Sequence, residues 1–489
     1  MVSKEANLEI KFDVVEKTVM DLQRALEAGE VTSEELVSAY INRIETLDFK
    51  GPTINSIITI NDKALEEAKL LDLERKEKGV RGPLHGIPVI LKDNYDTFDM
   101  PTSAGSLTLK DSIPSQDATL TKLLRDAGAI FVAKSNLHEY AYGISSISSH
   151  GGQTFNPYKI NHHPGGSSGG TGAAIAANFA AVGMGTDTGC SIRNPSSYNN
   201  LVGLRPSYGL TSRAGIVPIS FTQDTGGPMG RTVEDIAIVM DVIAGKFDER
   251  DPITELGVDK RPTSYVKSLG ERSFEGVKIG VLNASFGSCE LTMPTTTIVK
   301  QALEIMKSNG AELVDIEIDV LEDIEKLNLS TMEFKKAIED YLATLPNPRF
   351  TTLEQLIESK EVSAVVERRF VQALEYSVES EEYQDALKKR AEYLEAVQKV
   401  IKDYYLDVIA YPTFKSPPPL IGREFWEFNN GALSAATGIP AISFPAGFTE
   451  DSLPVGIEFA ADLFEEEKLL QLAYAFEKLT NYRKPPAIG

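Results

Sequence analysis

Residues 185–193 read Gly-Thr-Asp-Thr-Gly-Cys-Ser-Ile-Arg and set two nucleophiles, Cys190 and Ser191, side by side in a glycine-flanked turn. Either side chain can attack a carbonyl, provided that something takes its proton. Which of the two acts therefore depends on the base that the rest of the chain supplies.

Histidine is a poor candidate for that base. Gly165-Gly166-Ser167-Ser168-Gly169 matches G-x-S-x-G, but that elbow needs an acid and then a His further down the chain. All five histidines, His85, His138, His150, His162 and His163, lie at or before position 163. Papain-like catalysis by Cys190 fails for the same reason. An upstream His could serve Ser191 in chymotrypsin-like order, but that order belongs to small all-β barrels, which this chain does not resemble. His162-His163 reads as a loop pair, solvated or structural. His138-Glu139 and His162-His163 lack HExxH or Cys-pair spacing, so no metal site is expected. The glycines hold no G-x-x-x-x-G-K-[ST], and 183–189 is one residue too long for G-x-G-x-x-G, so no nucleotide cofactor is expected either. Lysine remains. Burial can keep an ammonium deprotonated near neutral pH, and Ser–Lys pairs are a variant of triad logic. The two candidates are Lys92 and Lys134, each ending an apolar run.

The elements that carry these residues read as α/β. GIPVILKDN (86–94) and AIFVAKSN (129–136) are short apolar runs bounded by Gly, Pro or Asn, as buried strands are. Ala118–Ala127 between them has helical spacing. Thr32 precedes an amphipathic stretch as an N-cap, with Glu35 three residues on. GGTGAAIAANFAAVGMG reads as one tightly packed helix of small residues. Strands are expected at 276–283 and 311–318 and in LDVIAYPTF, AISFPAGF and LPVGIEFAA, with a closing helix in FEEEKLLQLAYAFEKLTN. Residues 322–404 are helical and charged. The 489 residues show no repeat and no long Pro- or Ser-rich linker. The expectation is one domain, 1–489, with a central mixed, twisted β-sheet covered on both sides by helices and 322–404 as a helical elaboration beside the site.

A net charge of −22 disfavours nucleic acid as a ligand. No apolar run reads as a signal peptide or a membrane span. Two cysteines in 489 residues suit a reducing compartment. The expected setting is cytoplasmic, as a monomer or homodimer, with a small-molecule partner and neither nucleic acid nor membrane.

GIPVILKDN, GGSSGGTGAA, GTDTGCSIR, GLRPSYGLTSRAGIVPIS and QDTGGPMGRTVED, in that order, resemble the amidase signature family. PLHGIP, TSAGS, AGAIFVAKSNLHEYA and GGQTFNPY extend the resemblance toward the N-terminus, and GIPAISFPAGF and LPVGIEFAA toward the C-terminus. Within the family the chain looks most like bacterial peptide amidases. The resemblance implies Lys92 as base, Ser167 as bridging serine after a cis Gly166–Ser167 bond, and Ser191 as nucleophile. It implies an oxyanion hole from the backbone of Thr188, Gly189, Cys190 and Ser191. Ser168 is expected to hydrogen-bond Lys92, and Asp187 and Arg193 to pair and brace the loop. The family's usual Gly-Gly-Ser-Ile is Gly-Cys-Ser-Ile here, so Cys190 is expected to have negative φ and to fill space or narrow the pocket.

The implied activity is hydrolysis of a carboxylic amide (linear, aryl or peptide C-terminal) through an acyl-enzyme. The competing readings are a glutaminase-type subunit of a tRNA-dependent amidotransferase and a silent scaffold, against which the intact Lys92, Ser167 and Ser191 argue. The loop 421–431 supplies the candidate substrate contacts: Phe425, Trp426 and Phe428 as an apolar clamp, Asn429 and Asn430 as hydrogen-bonding groups.

Overall fold

The computed structural model describes residues 12–270, 272–327, 329–423 and 425–488. Most of the charged N-terminal stretch read for a signal peptide therefore lies outside the described residues. Among them, no helix is long and apolar enough to cross a membrane.

The strands, in chain order, are β1 (Ile57–Ile60), β2 (Pro88–Lys92), β3 (Ile130–Ser135), β4 (Ile147–Ser148), β5 (Gly152–Gln153), β6 (Val182–Asp187), β7 (Val202–Arg205), β8 (Thr225–Gly230), β9 (Lys278–Leu282), β10 (Glu312–Ile316), β11 (Val408–Pro412), β12 (Ala441–Phe448) and β13 (Pro454–Ala460). β4 and β5 form a small hairpin. The other eleven form one sheet in the order β1-β3-β2-β6-β8-β7-β12-β13-β11-β9-β10. The sheet is mixed. β3, β2 and β6 run parallel, as do β11, β9 and β10, while the strands between them pair antiparallel. Both faces are covered. In β2, Val89 and Leu91 enter one core layer and Ile90 the opposite one. This explains why the strand reads as a continuous apolar run rather than an alternation. Thr32 caps the helix Ser33–Arg43 in a reciprocal box with Glu35.

One expectation fails here. GGTGAAIAANFAAVGMG is not a single helix: the helix spans Gly169–Ala176, and the chain returns as β6, beside β2. The small residues that suggested close helix packing serve a strand instead. A Cβ on Gly183 would lie 2.5 Å from Thr171 Cγ2, so only glycine lets that helix rest on the strand. The next strands, β7 and β8, also escaped notice. β8 (TGGPMG) carries a proline, which argues against a central strand. Pro228 is tolerated because β7 pairs only with Met229 and Gly230 and offers it no partner on that side.

This topology assembles the site. β2 and β6 are parallel neighbours with Leu91 opposite Met184, so Lys92 and Asp187 emerge at the same carboxyl edge of the sheet. That edge is where open α/β sheets bind ligands. The described residues within 322–404 include the helices Leu329–Thr344, Ala364–Ala373 and Glu381–Asp403.

Candidate active site

Lys92 is fully buried at the end of β2, and its Nζ donates to Ser167 Oγ and to Thr186 Oγ1, both at 2.7 Å. Burial pushes its pKa down to about 7, and the more distant carboxylates of Asp187 and Asp224 only partly oppose this. Thr186 Oγ1 also accepts from Asn94 Nδ2 at 3.0 Å. The expected bond from Ser168 to Lys92 is absent. Ser168 Oγ instead donates to the Thr186 carbonyl at 3.2 Å and accepts the Thr186 N–H at 3.3 Å, leaving the amine to Thr186 Oγ1. Lys134 is engaged elsewhere, and burial lowers its pKa as well. It faces Asp93 at 3.5 Å and donates to the Tyr95 carbonyl at 2.7 Å and Thr102 Oγ1 at 3.1 Å.

The Gly166–Ser167 bond is cis. Its segment is tied at several points. Gly166 N–H donates to Asn194 Oδ1 at 2.9 Å, and His138 N–H to the Ser167 carbonyl at 3.0 Å. Ser146 Oγ donates to the Gly165 carbonyl at 2.7 Å and accepts Gly169 N–H at 3.0 Å. Ser168 N–H reaches the Ser191 carbonyl at 3.2 Å and joins this segment to the turn 188–191. The two hydroxyls, Ser167 Oγ and Ser191 Oγ, are brought to the same site but are not hydrogen-bonded to each other. Contacts of this kind often tighten only with substrate bound.

Buried charge shapes the turn. Asp187, Arg193, Arg205 and Glu458 are all fully buried. Asp187 accepts from Arg193 through both carboxylate oxygens at 3.1 Å and from Arg205 at 3.1 Å, and Arg193 reaches Glu458 at 2.5 Å. Burial alone would raise the Asp187 carboxyl, but the two guanidiniums hold it well below the usual range. Asp187 Oδ2 also takes the Ile192 N–H at 3.0 Å, and the Gly189 carbonyl accepts from Arg193 at 2.7 Å. Among the described residues, no acceptor takes the backbone N–H of Thr188, Gly189, Cys190 or Ser191. Four donors are thus left in one tight turn, with Thr188 and Gly189 half-buried at its opening. Thr188 Oγ1 is anchored to Asp224 at 2.5 Å.

Cys190 has negative φ, so no strain attends the departure from glycine. Its side chain sits in an apolar cluster with Ile144, Tyr198, Phe414 and Phe425. Burial pushes the thiol far up, away from the reactive thiolate.

The loop 421–431 is used differently from the sequence reading. Phe425 is a core residue, 3% exposed and stacked on His163 with ring centroids 4.9 Å apart. Asn429 Oδ1 accepts the Gly431 N–H at 2.8 Å, and Asn430 Nδ2 donates to the carbonyls of Ser285 at 2.9 Å and Pro412 at 2.7 Å. These three hold the loop in place. Gly431 packs against the nucleophile turn so closely that a Cβ there would lie 2.3 Å from the Gly189 carbonyl oxygen. Trp426 faces outward, 50% exposed, with its ring edge 4.0 Å from where a Cβ of Gly189 would stand, and Phe428 is half-buried against the Phe425 cluster. Two residues missed in the sequence complete this wall. The Arg369 guanidinium lies 5.6 Å from the Trp426 ring and 5.2 Å from the Tyr142 ring. No group of three or more His, Cys, Asp or Glu among the described residues is placed to hold a metal ion.

A family model described as Amidase matches residues 35–470. The chain belongs to the amidase signature family. It superposes on the peptide amidase of Stenotrophomonas maltophilia with a TM-score of 0.88 and 37% identity, covering 97% of this chain and 99% of that one. It is 34% identical to a glutamyl-tRNA(Gln) amidotransferase subunit from Alkaliphilus metalliredigens, over 95% of this chain and 96% of the relative. It is 33% identical to a protein of Arabidopsis thaliana named "probable amidase", over 99% and 94%.

The Asp187 network predicts a large stability effect. Asp187→Asn leaves Arg193 and Arg205 buried without their shared counter-charge. The free energy of unfolding should fall by about 3–5 kcal/mol, the usual cost of removing one partner from a buried pair. Urea unfolding with an unchanged m-value measures this. A loss under about 0.5 kcal/mol, the range of ordinary surface substitutions, would contradict the role given to the network.

Proposed function

We propose that the enzyme hydrolyses a small carboxylic amide (linear, aryl or peptide C-terminal) to a carboxylate and an amine or ammonia, outside ordinary peptide bonds. The observation that carries this reading is the buried Lys92 amine, lowered to about 7 and 2.7 Å from Ser167 Oγ. Neutral Lys92 takes the proton of Ser167, and Ser167 takes that of Ser191. Ser191 Oγ then attacks the amide carbon. The oxyanion is met by the free N–H groups of residues 188–191, where loss of one donor typically costs about 10²–10³-fold in rate. As the C–N bond breaks, Ser167 returns the proton to the leaving nitrogen. Water, activated by the same relay, releases the carboxylate from Ser191. The Cys190 thiol takes no part, because it is packed among aromatic rings. Asp187 and Arg193 position the turn, and Ser168 aligns Thr186 and the cis segment.

Trp426, Tyr142 and Arg369 form the acyl-side wall in this reading, with residues 322–404 as the helical elaboration that supplies Arg369. A bulky, partly apolar acyl group fits such a wall. A second reading is favoured by the likeness to part of a tRNA-dependent amidotransferase and by Arg369, whose guanidinium has no hydrogen-bond acceptor among the described residues and would suit the carboxylate of glutamine. The two readings differ in what the chain does alone.

Purified chain without ATP, tRNA or partner should turn over at least one bulky aryl or acyl amide. Activity confined to glutamine would favour the second reading. On the same amide, Ser191→Ala should lose activity by about 10³-fold or more, as loss of a nucleophile does, whereas Cys190→Gly should keep it. Substantial turnover by Ser191→Ala would overturn the mechanism.

The state of Lys92 predicts a pH profile. Protonated Lys92 cannot accept from Ser167, so kcat/KM should rise with pH through an apparent pKa of about 7. Lys92→Ala should abolish the activity. A wild-type profile that falls as pH rises from about 6 to 8 would refute Lys92 as the base.

A further inference from the structure

A cavity of about 310 Å³ opens beside the relay, away from the Trp426 wall. Thr186, whose hydroxyl touches Lys92 Nζ, and Thr188 are among its lining residues. Ile216, Val217, Ile219 and Leu345 form apolar walls, and Asp96 and Tyr341 also line it. The proposed mechanism gives this cavity no task.

Its chemistry is specific. Asp96 is 5% exposed, and Tyr341 donates to its Oδ1 at 2.8 Å. The second Asp96 oxygen has no hydrogen-bond partner among the described residues. The other carboxylates of the lining are engaged. Asp251 pairs with Arg213 at 2.5 Å, and Asp340 with Lys336 at 2.5 Å. Asp224 accepts Thr188 Oγ1 and the N–H groups of Ile219, at 2.8 Å, and Ser220, at 2.9 Å. Arg250, also on the lining, donates to Thr119 Oγ1 at 2.6 Å. Asp96 is therefore the lining carboxylate with an uncommitted oxygen. Burial pushes it up to about 7, so an ammonium brought beside it would favour its ionised form.

The reaction decides which half of the substrate belongs here. The leaving nitrogen must face Ser167, because Ser167 returns the proton. Thr186, which holds Lys92 together with Ser167, lines the cavity, and neither Gly189 nor Trp426 does, which puts the cavity on the relay side of the scissile bond. The acyl half is left to the Gly189–Trp426 side. We infer that this cavity is a leaving-group subsite, which takes the amine portion of an N-substituted amide and uses Asp96 to bind a cationic or strongly hydrogen-bond-donating group on it.

This inference rests on the proposed amide hydrolysis, and the test separates the two. Three amides of one acyl group, which the enzyme turns over as its primary amide, are compared at pH 8: the primary amide, the N-propyl amide and the N-(3-aminopropyl) amide. At this pH the aminopropyl group is charged. Its kcat/KM should exceed that of the N-propyl amide by about tenfold or more, the worth of a hydrogen bond to a charged group. In Asp96→Asn the ratio between these two should collapse toward one. Thr344→Trp, at an exposed lining position that leaves the core untouched, should lower both N-substituted amides relative to the primary amide. Equal kcat/KM for the aminopropyl and propyl compounds in the wild type, or an unchanged ratio in Asp96→Asn, would overturn the inference. So would hydrolysis of the primary amide alone, which leaves the proposed function standing. If no primary amide in a broad acyl panel is hydrolysed, the proposed function falls and the subsite falls with it.

Discussion

The site depends on one buried carboxylate. Asp187 ends β6 and gathers Arg193 from beyond the turn and Arg205 from β7, while Arg193 also reaches Glu458 on β13. Two guanidiniums and two carboxylates, all removed from water, are costly to bury and are tolerated only with close hydrogen-bonded geometry. That requirement is what fixes the turn. Asp187 takes the N–H of Ile192 and Arg193 takes the carbonyl of Gly189, while the N–H groups of residues 188–191 keep no acceptor among the described residues.

The state of Lys92 is set by burial, which lowers the lysine to about 7 although the Asp187 and Asp224 carboxylates favour the charged ammonium. The tight turn also separates its two nucleophiles. Cys190 points into Tyr198, Phe414 and Phe425, where a thiolate would be unsolvated and has no base. Ser191 carries the weaker nucleophile, but its carbonyl accepts the Ser168 N–H, which ties it to the segment holding Ser167 beside Lys92. The proposed mechanism lets position outweigh intrinsic reactivity.

Much of this was legible in the sequence, for definite reasons. The apolar runs before Lys92 and Lys134 marked both as buried strand-end lysines, and the histidine order removed the usual base; the choice of Lys92, Ser167 and Ser191 came from the resemblance to the amidase signature family. The strand runs at both ends of the chain were plain because both sheet faces are buried. β6 was misread because glycine and alanine carry no periodicity, and β8 was missed because its proline argues against a strand until the short reach of β7 is known. Thr186, Arg205 and Glu458 left no local signal. Each matters through a partner on another strand, brought near only by the sheet order. Phe425 was assigned to substrate because loop composition does not say which side faces the core.

The arrangement also explains why a Ser-Ser-Lys relay suits this sheet edge. A lysine at a strand end needs its whole aliphatic stem buried to lose its charge, and β2 supplies that from both layers. Its short reach then calls for a bridging hydroxyl, which must come from a segment held rigidly against the nucleophile turn. The bonds from Gly166 to Asn194 and from Ser168 to Ser191 tie those two segments together. In the proposed mechanism the relay occupies one side of the scissile bond and leaves the Trp426 side for the acyl group. On that proposal a fixed proton path gives the substrate a direction, with the half that leaves as amine entering beside Thr186.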